Sequence, residues 1–275
     1  MTGEYEIARN MLLNLSTRLF SPYSTPIVSI WKCSLAKIDF EYHLNRNQYK
    51  EAQEAVELIT LHDRDEGTLR LAELFLKKDD QARSFDLVVD LLAQSKHQET
   101  YFRIRVLLLK AQILNDVASV FESLNLAIEH KVKGLENTIL IELCFQLNRI
   151  GQLSQSLRLI RSKMVHILTD LEQREVGKAF YLLALNQSMI IQRDQPVKPR
   201  IERRKYKKTD VSSKQFTSVL ANNSSAIDIF KKIGDVDFLK RCYQLQSEVY
   251  YLIGDVQKRN FFARQTRLLY EKVTS

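Results

Sequence analysis

Apolar residues recur at helical spacing through most of this chain, and short polar breaks interrupt them at near-regular intervals. In "AKIDFEYHLNRNQYKEAQEAVELI" (36–59) the break is Arg46-Asn47, after which Ala52, Val56 and Ile59 share one stripe. In "TLRLAELFLKKDDQARSFDLVVDLL" (68–92) it is Asp79-Asp80, followed by Ser84, Val88 and Leu91. "IRVLLLKAQILNDVASVFESLNLAI" (104–128) breaks at Asn115-Asp116, followed by Val120, Leu124 and Ala127. "ILIELCFQLNRIGQLSQSLRLIRSKM" (139–164) breaks at Gly151, followed by Ser156, Ile160 and Lys163. The breaks at 47, 79, 115 and 151 are spaced by 32, 36 and 36 residues, near the period of about 34 of tetratricopeptide helix–turn–helix repeats. Positions five, nine and twelve past each turn lie on one stripe of the second helix, where a small side chain lets the first helix approach. The pattern predicts an all-α, tetratricopeptide-like helical-hairpin solenoid, an α-α superhelix.

The pattern returns at the end of the chain, where "YQLQSEVYYLIGDVQKRNFFARQTRLLYEKV" (243–273) breaks at Gly254-Asp255. All four prolines fall in two places, Pro22/Pro26 and Pro196/Pro199, as expected where helices occupy the rest. Residues 1–26 therefore read as a leading helix and a proline-containing linker. Residues 27–192 and 214–275 read as one continuous array, with 193–213 as a disordered insertion. Helices 172–192 and 216–233 should pair across it, through Tyr181, Leu185 and Met189 on one and Val219, Ile227 and Phe230 on the other.

Charge sharpens the picture of that insertion. The chain carries +8 overall, and residues 198–208, "KPRIERRKYKK", supply +6 of it, leaving +2 for the remainder. A nucleic-acid-binding domain usually spreads cations along a face, so nucleic acid is an unfavoured partner. Arg203, Arg204, Lys205, Lys207 and Lys208 have three readings: an import signal, a block docking on an acidic partner subunit, or a solvated loop. The three cysteines, Cys33, Cys144 and Cys242, each lie in an apolar helical stretch and read as buried free thiols. There is no signal-peptide pattern and no apolar run long enough for a bilayer, so a soluble protein of a reducing compartment is expected.

Candidate chemistry is sparse. Asp39 and His43 stand one helical turn apart, but no third metal ligand is placed, and a surface pair is the better reading. His62-Asp63-Arg64-Asp65-Glu66 gathers carboxylates and an imidazole, read as a solvated loop between repeats. No phosphate-binding glycine loop or nucleophile motif is present; no catalytic residue, cofactor or metal is expected. Tyr250, Tyr251, Phe261, Phe262, Leu269 and Tyr270 crowd the last two helices. Base stacking is one reading; core and subunit contact fit helical spacing better.

"WKCSLAKIDFEYHLNRNQYKEAQEAVELIT", "EVGKAFYLLALNQSM" and "IFKKIGDVDFLKRCYQLQSEVYYLIGDVQKRNFFARQTRLLYEK" together resemble the tetratricopeptide region of the subunit 5 family of the anaphase-promoting complex. The likeness runs collinearly from about Trp31 to Lys272 and includes a charged insertion near the same place. The resemblance implies a non-catalytic scaffold subunit in the platform of a multisubunit ubiquitin ligase acting in mitosis. It implies subunits 1, 4 and 15 as partners, and a location in nucleus and cytoplasm. Family members carry an N-terminal helical domain and further repeats, so the resemblance implies a carboxy-terminal portion, a fragment or a shortened paralogue. The rival is a free-standing peptide-binding adaptor. That would favour recurrent Lys, Asn or Arg on the first helices, and none recurs in register.

Overall fold

The computed structural model describes residues 7, 9–11, 13–14, 25–94, 99–132, 135–170, 172–194 and 213–274. Among these there are α-helices and one short 3-10 turn and no strand, as the periodicity predicts. The chain divides into two compact units, one of Met1–Glu136 with Lys232–Gly234, the other of Asn137–Lys231 with Asp235–Ser275. The first holds α1 (Thr25–Asn45), α2 (Tyr49–His62), α3 (Arg64–Lys77), α4 (Gln81–Gln94), α5 (Thr100–Leu114) and α6 (Val117–Glu129). Helix α7 (Leu135–Arg149) begins at the boundary; α8 (Leu153–Asp170), α9 (Gln173–Arg193), α10 (Thr217–Ile233), α11 (Val236–Ile253) and α12 (Val256–Thr274) follow. Helix α1 starts two residues before the expected array, with Pro26 in its first turn, where a missing N–H breaks no helical bond.

The polar breaks have a common physical origin. Asn47, Asp79, Asn115, Gly151 and Gly254 all take positive φ, between 54° and 85°; Asn, Asp and Gly are the residues that bear the left-handed conformation best. An aspartate often comes next and caps the new helix. The Asp116 carboxylate accepts from the Ala118 and Ser119 N–H groups at 2.9 and 3.2 Å. Asp80 accepts from Arg83 N–H at 3.2 Å, and Asp255 from Lys258 N–H at 3.0 Å. Each break therefore ends one helix and starts the next.

Within the hairpins the helices cross at one recurring position. Ser84 Oγ donates to the Ala72 carbonyl at 2.8 Å and Ser156 Oγ to the Cys144 carbonyl at 3.0 Å, whereas in the last hairpin the bond runs the other way, from Ser247 Oγ of the first helix to the Arg259 carbonyl of the second at 3.2 Å. Ala52 fills the equivalent position, fully buried, in the first hairpin. Small residues are placed there because the backbones approach closely. The first unit's core gathers Phe40, Val56, Ile59 and Leu74, with a second cluster around Leu69, Val88, Leu91 and Val106. The second unit packs Ile141, Cys144, Ile160, Ile167, Val176 and Leu182. Two stripe positions are corrected: Ser123 is buried where Leu124 was expected, and Lys163 is exposed while Ile167 continues the stripe.

Helices α9 and α10 pair as predicted, but through a different face of α9. Gly177 lies against Phe230 and Ile229, and Gln187 accepts from Ser218 and Asn222 at 3.2 and 3.3 Å. Met189 is half-exposed, and its Sδ meets Asn148 Nδ2 of α7 at 3.5 Å instead. The three cysteines are buried free thiols. Burial pushes the Cys144 thiol up to about 12 and raises Cys242 and Cys33 as well, which keeps them protonated and unreactive.

Candidate interaction surface

The last helix exposes most of its apolar side chains. The face of α12 toward α11 carries Phe262, whose ring stacks on Tyr250 with centroids 5.7 Å apart and lies 5.9 Å from Tyr243. Leu269, two turns on, is half-buried on that same face. Phe261 and Tyr270 are exposed, as are Val256 and Leu268, and Tyr251 is exposed at the end of α11. The six aromatic and leucine positions singled out in the sequence thus divide. Tyr250, Phe262 and Leu269 build the hairpin, whereas Tyr251, Phe261 and Tyr270 face outward. Lys240 sits 4.5 Å from the Tyr270 ring centroid, and Lys258 5.2 Å from that of Tyr250, so cations border the apolar surface.

The second concentration of chemistry was misread as loop. His62 ends α2, Asp63 alone separates two helices with extended backbone, and Arg64–Glu66 form the first turn of α3. Asp63 caps that turn by accepting from Glu66 N–H at 3.0 Å, and acidic residues are favoured at a helix N-terminus. The signal was present: an Asp followed three residues later by a Glu before an apolar run is a capping pattern.

Glu66 itself is buried. Arg105 grips it with Nη1–Oε2 at 2.7 Å and Nη2–Oε1 at 3.0 Å, and Arg70 Nε donates to Oε1 at 2.8 Å. Arg70 also binds Glu73 Oε2 at 2.9 Å and reaches Glu41. Burial alone would raise the Glu66 carboxyl, but the Arg105 hydrogen bonds and the charges of Arg70 and Arg105 outweigh it and hold it at about 2. Burial opposes the Arg70 charge too, yet its three carboxylates keep it firmly protonated. These residues sit on α1, α3 and α5, the first helices of three successive hairpins, and join two guanidinium groups to three carboxylates.

Asp39 and His43 are not brought together as ligands: Asp39 pairs with Arg9 at 2.6 Å, and His43 Nδ1 lies 2.9 Å from Gln48 Oε1. Arg203, Arg204, Lys205, Lys207 and Lys208 lie outside the described residues. The flanks are defined: the Asp194 N–H closes α9 on the Ile190 carbonyl at 3.0 Å, and the 3-10 turn Ser213–Phe216 buries Phe216 ahead of α10. Lengthening a loop costs only about 0.6 kcal/mol per doubling. Replacing residues 196–211 with a short Gly/Ser linker is therefore expected to move the melting temperature by less than about 2 °C. Differential scanning fluorimetry measures this, and a larger drop would mean that the stretch is packed structure. Among the described residues no helix is long and apolar enough to cross a membrane.

No protein-family model matches the chain. Over an alignment of 282 residues it is 24% identical to anaphase-promoting complex subunit 5 of Homo sapiens, and equally to that of Pongo abelii. The alignment covers 99% of this chain and 35% of each relative, so the chain spans about a third of the length of the curated relatives it matches. The similarity read from the quoted segments thus extends along essentially the whole sequence.

Proposed function

We propose that the chain is a structural component of an anaphase-promoting complex, contributing helical-repeat surface and no chemistry of its own. The observation that carries this reading is the collinear similarity to subunit 5 over 99% of the chain. The resemblance would place the protein in the platform of a ubiquitin ligase acting in mitosis, beside subunits 1, 4 and 15, in nucleus and cytoplasm. A helical-repeat architecture suits that role, because stacked hairpins present long surfaces to partners. The exposed apolar residues of α12 support it further, since uncovered patches of this kind mark interaction sites.

The adaptor reading fares worse. A peptide clamp needs cations free to meet a carboxylate, whereas Arg70 and Arg105, on the first helices, are already bound to Glu66. Affinity purification of the chain tagged at its own locus tests the proposal. Recovery of the large ligase subunits in near-stoichiometric amount is expected. Recovery of a chaperone would favour the adaptor, and recovery of RNA a nucleic-acid solenoid; either result without ligase subunits overturns the proposal.

A further inference from the structure

Helix α12 has one covered face and two uncovered shoulders. With Phe262 and Leu269 turned toward α11, the step of about 100° per residue places Phe261 and Leu268 on one shoulder and Val256 and Tyr270 on the other. Phe261 is 55% exposed and Leu268 39%. The line farthest from α11 is polar, formed by Asn260, Arg264 and Arg267. Charge along the helix is one-sided. Val256–Thr274 contains Lys258, Arg259, Arg264, Arg267 and Lys272 against one acid, Glu271; that carboxylate accepts from Arg267 Nε at 2.8 Å, and Asp255, just before the helix, pairs with Lys258 Nζ at 3.5 Å.

We infer that the Phe261–Leu268 shoulder of α12 docks an acidic amphipathic helix of a neighbouring subunit, apolar ridge inward, with a carboxylate against Arg264. The inference rests on the subunit reading above and adds the chemistry of the partner. Two features select a helix. Phe261 and Leu268 are seven residues apart, two turns or about 10 Å, which matches the ridge spacing of a packed helix. They also lie in a shoulder rather than at the crest. A membrane surface would meet the polar crest first and leave them uncovered, since an interfacial helix buries a continuous apolar face. A nucleic acid would use the cations and leave the same two side chains in water. Arg264 borders the pair on the crest side, and an acidic flank on the incoming helix answers it; Lys258, on the other side, is held by Asp255 at 3.5 Å.

The test uses the full chain in the assembled complex. A photo-crosslinking benzoylphenylalanine is placed separately at Phe261 and at Leu268, both already partly exposed, so that one site remains informative if the other perturbs folding. Irradiation is expected to give a protein adduct mapping to a segment with apolar residues at i, i+3/i+4 and i+7 and Asp/Glu on its flanks. Combining the probe with Arg264→Glu should cut adduct yield about fivefold, and raising the salt should lower the yield from the unmutated helix. An adduct to RNA, to lipid or to an uncharged or basic segment overturns the inference. So does an adduct to α2 of a second copy, whose Glu54, Glu57, Leu58 and Leu61 are exposed, or no adduct from either site. Co-purification of ligase subunits with the unmodified chain reads the subunit proposal alone. An acidic-helix adduct without those subunits would sustain this inference and sink that one.

Discussion

Replacing Glu66 by alanine is expected to lower the stability of the first unit by about 3–5 kcal/mol, the range for removing one partner of a buried ion pair. The cost comes from what is left behind. Arg70 keeps Glu73 and Glu41, but Arg105 loses the carboxylate that grips both its terminal nitrogens. Glu66→Gln keeps the side-chain volume and should cost nearly as much, which separates charge from cavity. Glu66→Gln with Arg105→Gln should recover more than half of the loss, since the unpaired guanidinium is then gone. Urea unfolding followed by Trp31, the chain's single tryptophan and a residue of α1, reports on this unit. The pH dependence has a definite sign. The folded carboxyl lies at about 2 and an unfolded glutamate near 4.3, so the unfolded state binds the proton first on acidification. Glu66 therefore contributes about 3 kcal/mol above pH ~4.5, lost as pH falls toward about 2. Glu66→Gln should flatten the acid limb of stability; an unchanged limb would show that the network does not carry it.

This network also marks where sequence reasoning stops. The breaks at Asn47, Asp79, Asn115, Gly151 and Gly254 were legible because left-handed residues and aspartate caps are local chemistry. The stripe of Ala52, Val56 and Ile59 was legible because its period lies within one helix. Burial of Glu66 was not, since the deciding residue, Arg105, is 39 positions away on another hairpin. Local charge density made the same stretch look solvated. Met189 failed for a related reason: which helix meets its face of α9 is decided from outside α9, and Asn148 of an earlier helix stands there. In α12 the excess of apolar residues over one stripe could be read from the sequence. Which of them turn inward could not, because Tyr243 and Tyr250 of α11 decide it.

Gly67→Ala, one residue beyond Glu66, should destabilise the protein by about 2–3 kcal/mol although it improves helix propensity. Two effects oppose each other. Alanine in a helix interior is favoured over glycine by about 1 kcal/mol. Against this, α2 and α3 are joined by Asp63 alone and meet where Gly67 faces Thr60. A Cβ at position 67 would lie 2.7 Å from Thr60 Cα and 2.9 Å from its Cβ. The obstacle is backbone, so no rotamer change relieves it, and the Thr60 side chain is itself held by the bond from Oγ1 to the Val56 carbonyl at 2.8 Å. The helices must separate, and overpacking of this kind costs about 1–3 kcal/mol or more. Separation would also shift Glu66 away from Arg105, adding part of the ion-pair loss. Adding Thr60→Ala removes the hydroxyl and methyl but not Cα, so it should restore less than half. Gly151→Ala offers the contrast: at φ +80° with nothing within 4 Å of the added Cβ, it should cost about 1 kcal/mol through backbone strain alone. Urea midpoints read by Trp31 fluorescence test the Gly67 variants, and a midpoint raised by Gly67→Ala would mean that propensity wins and the two helices are not in close approach there.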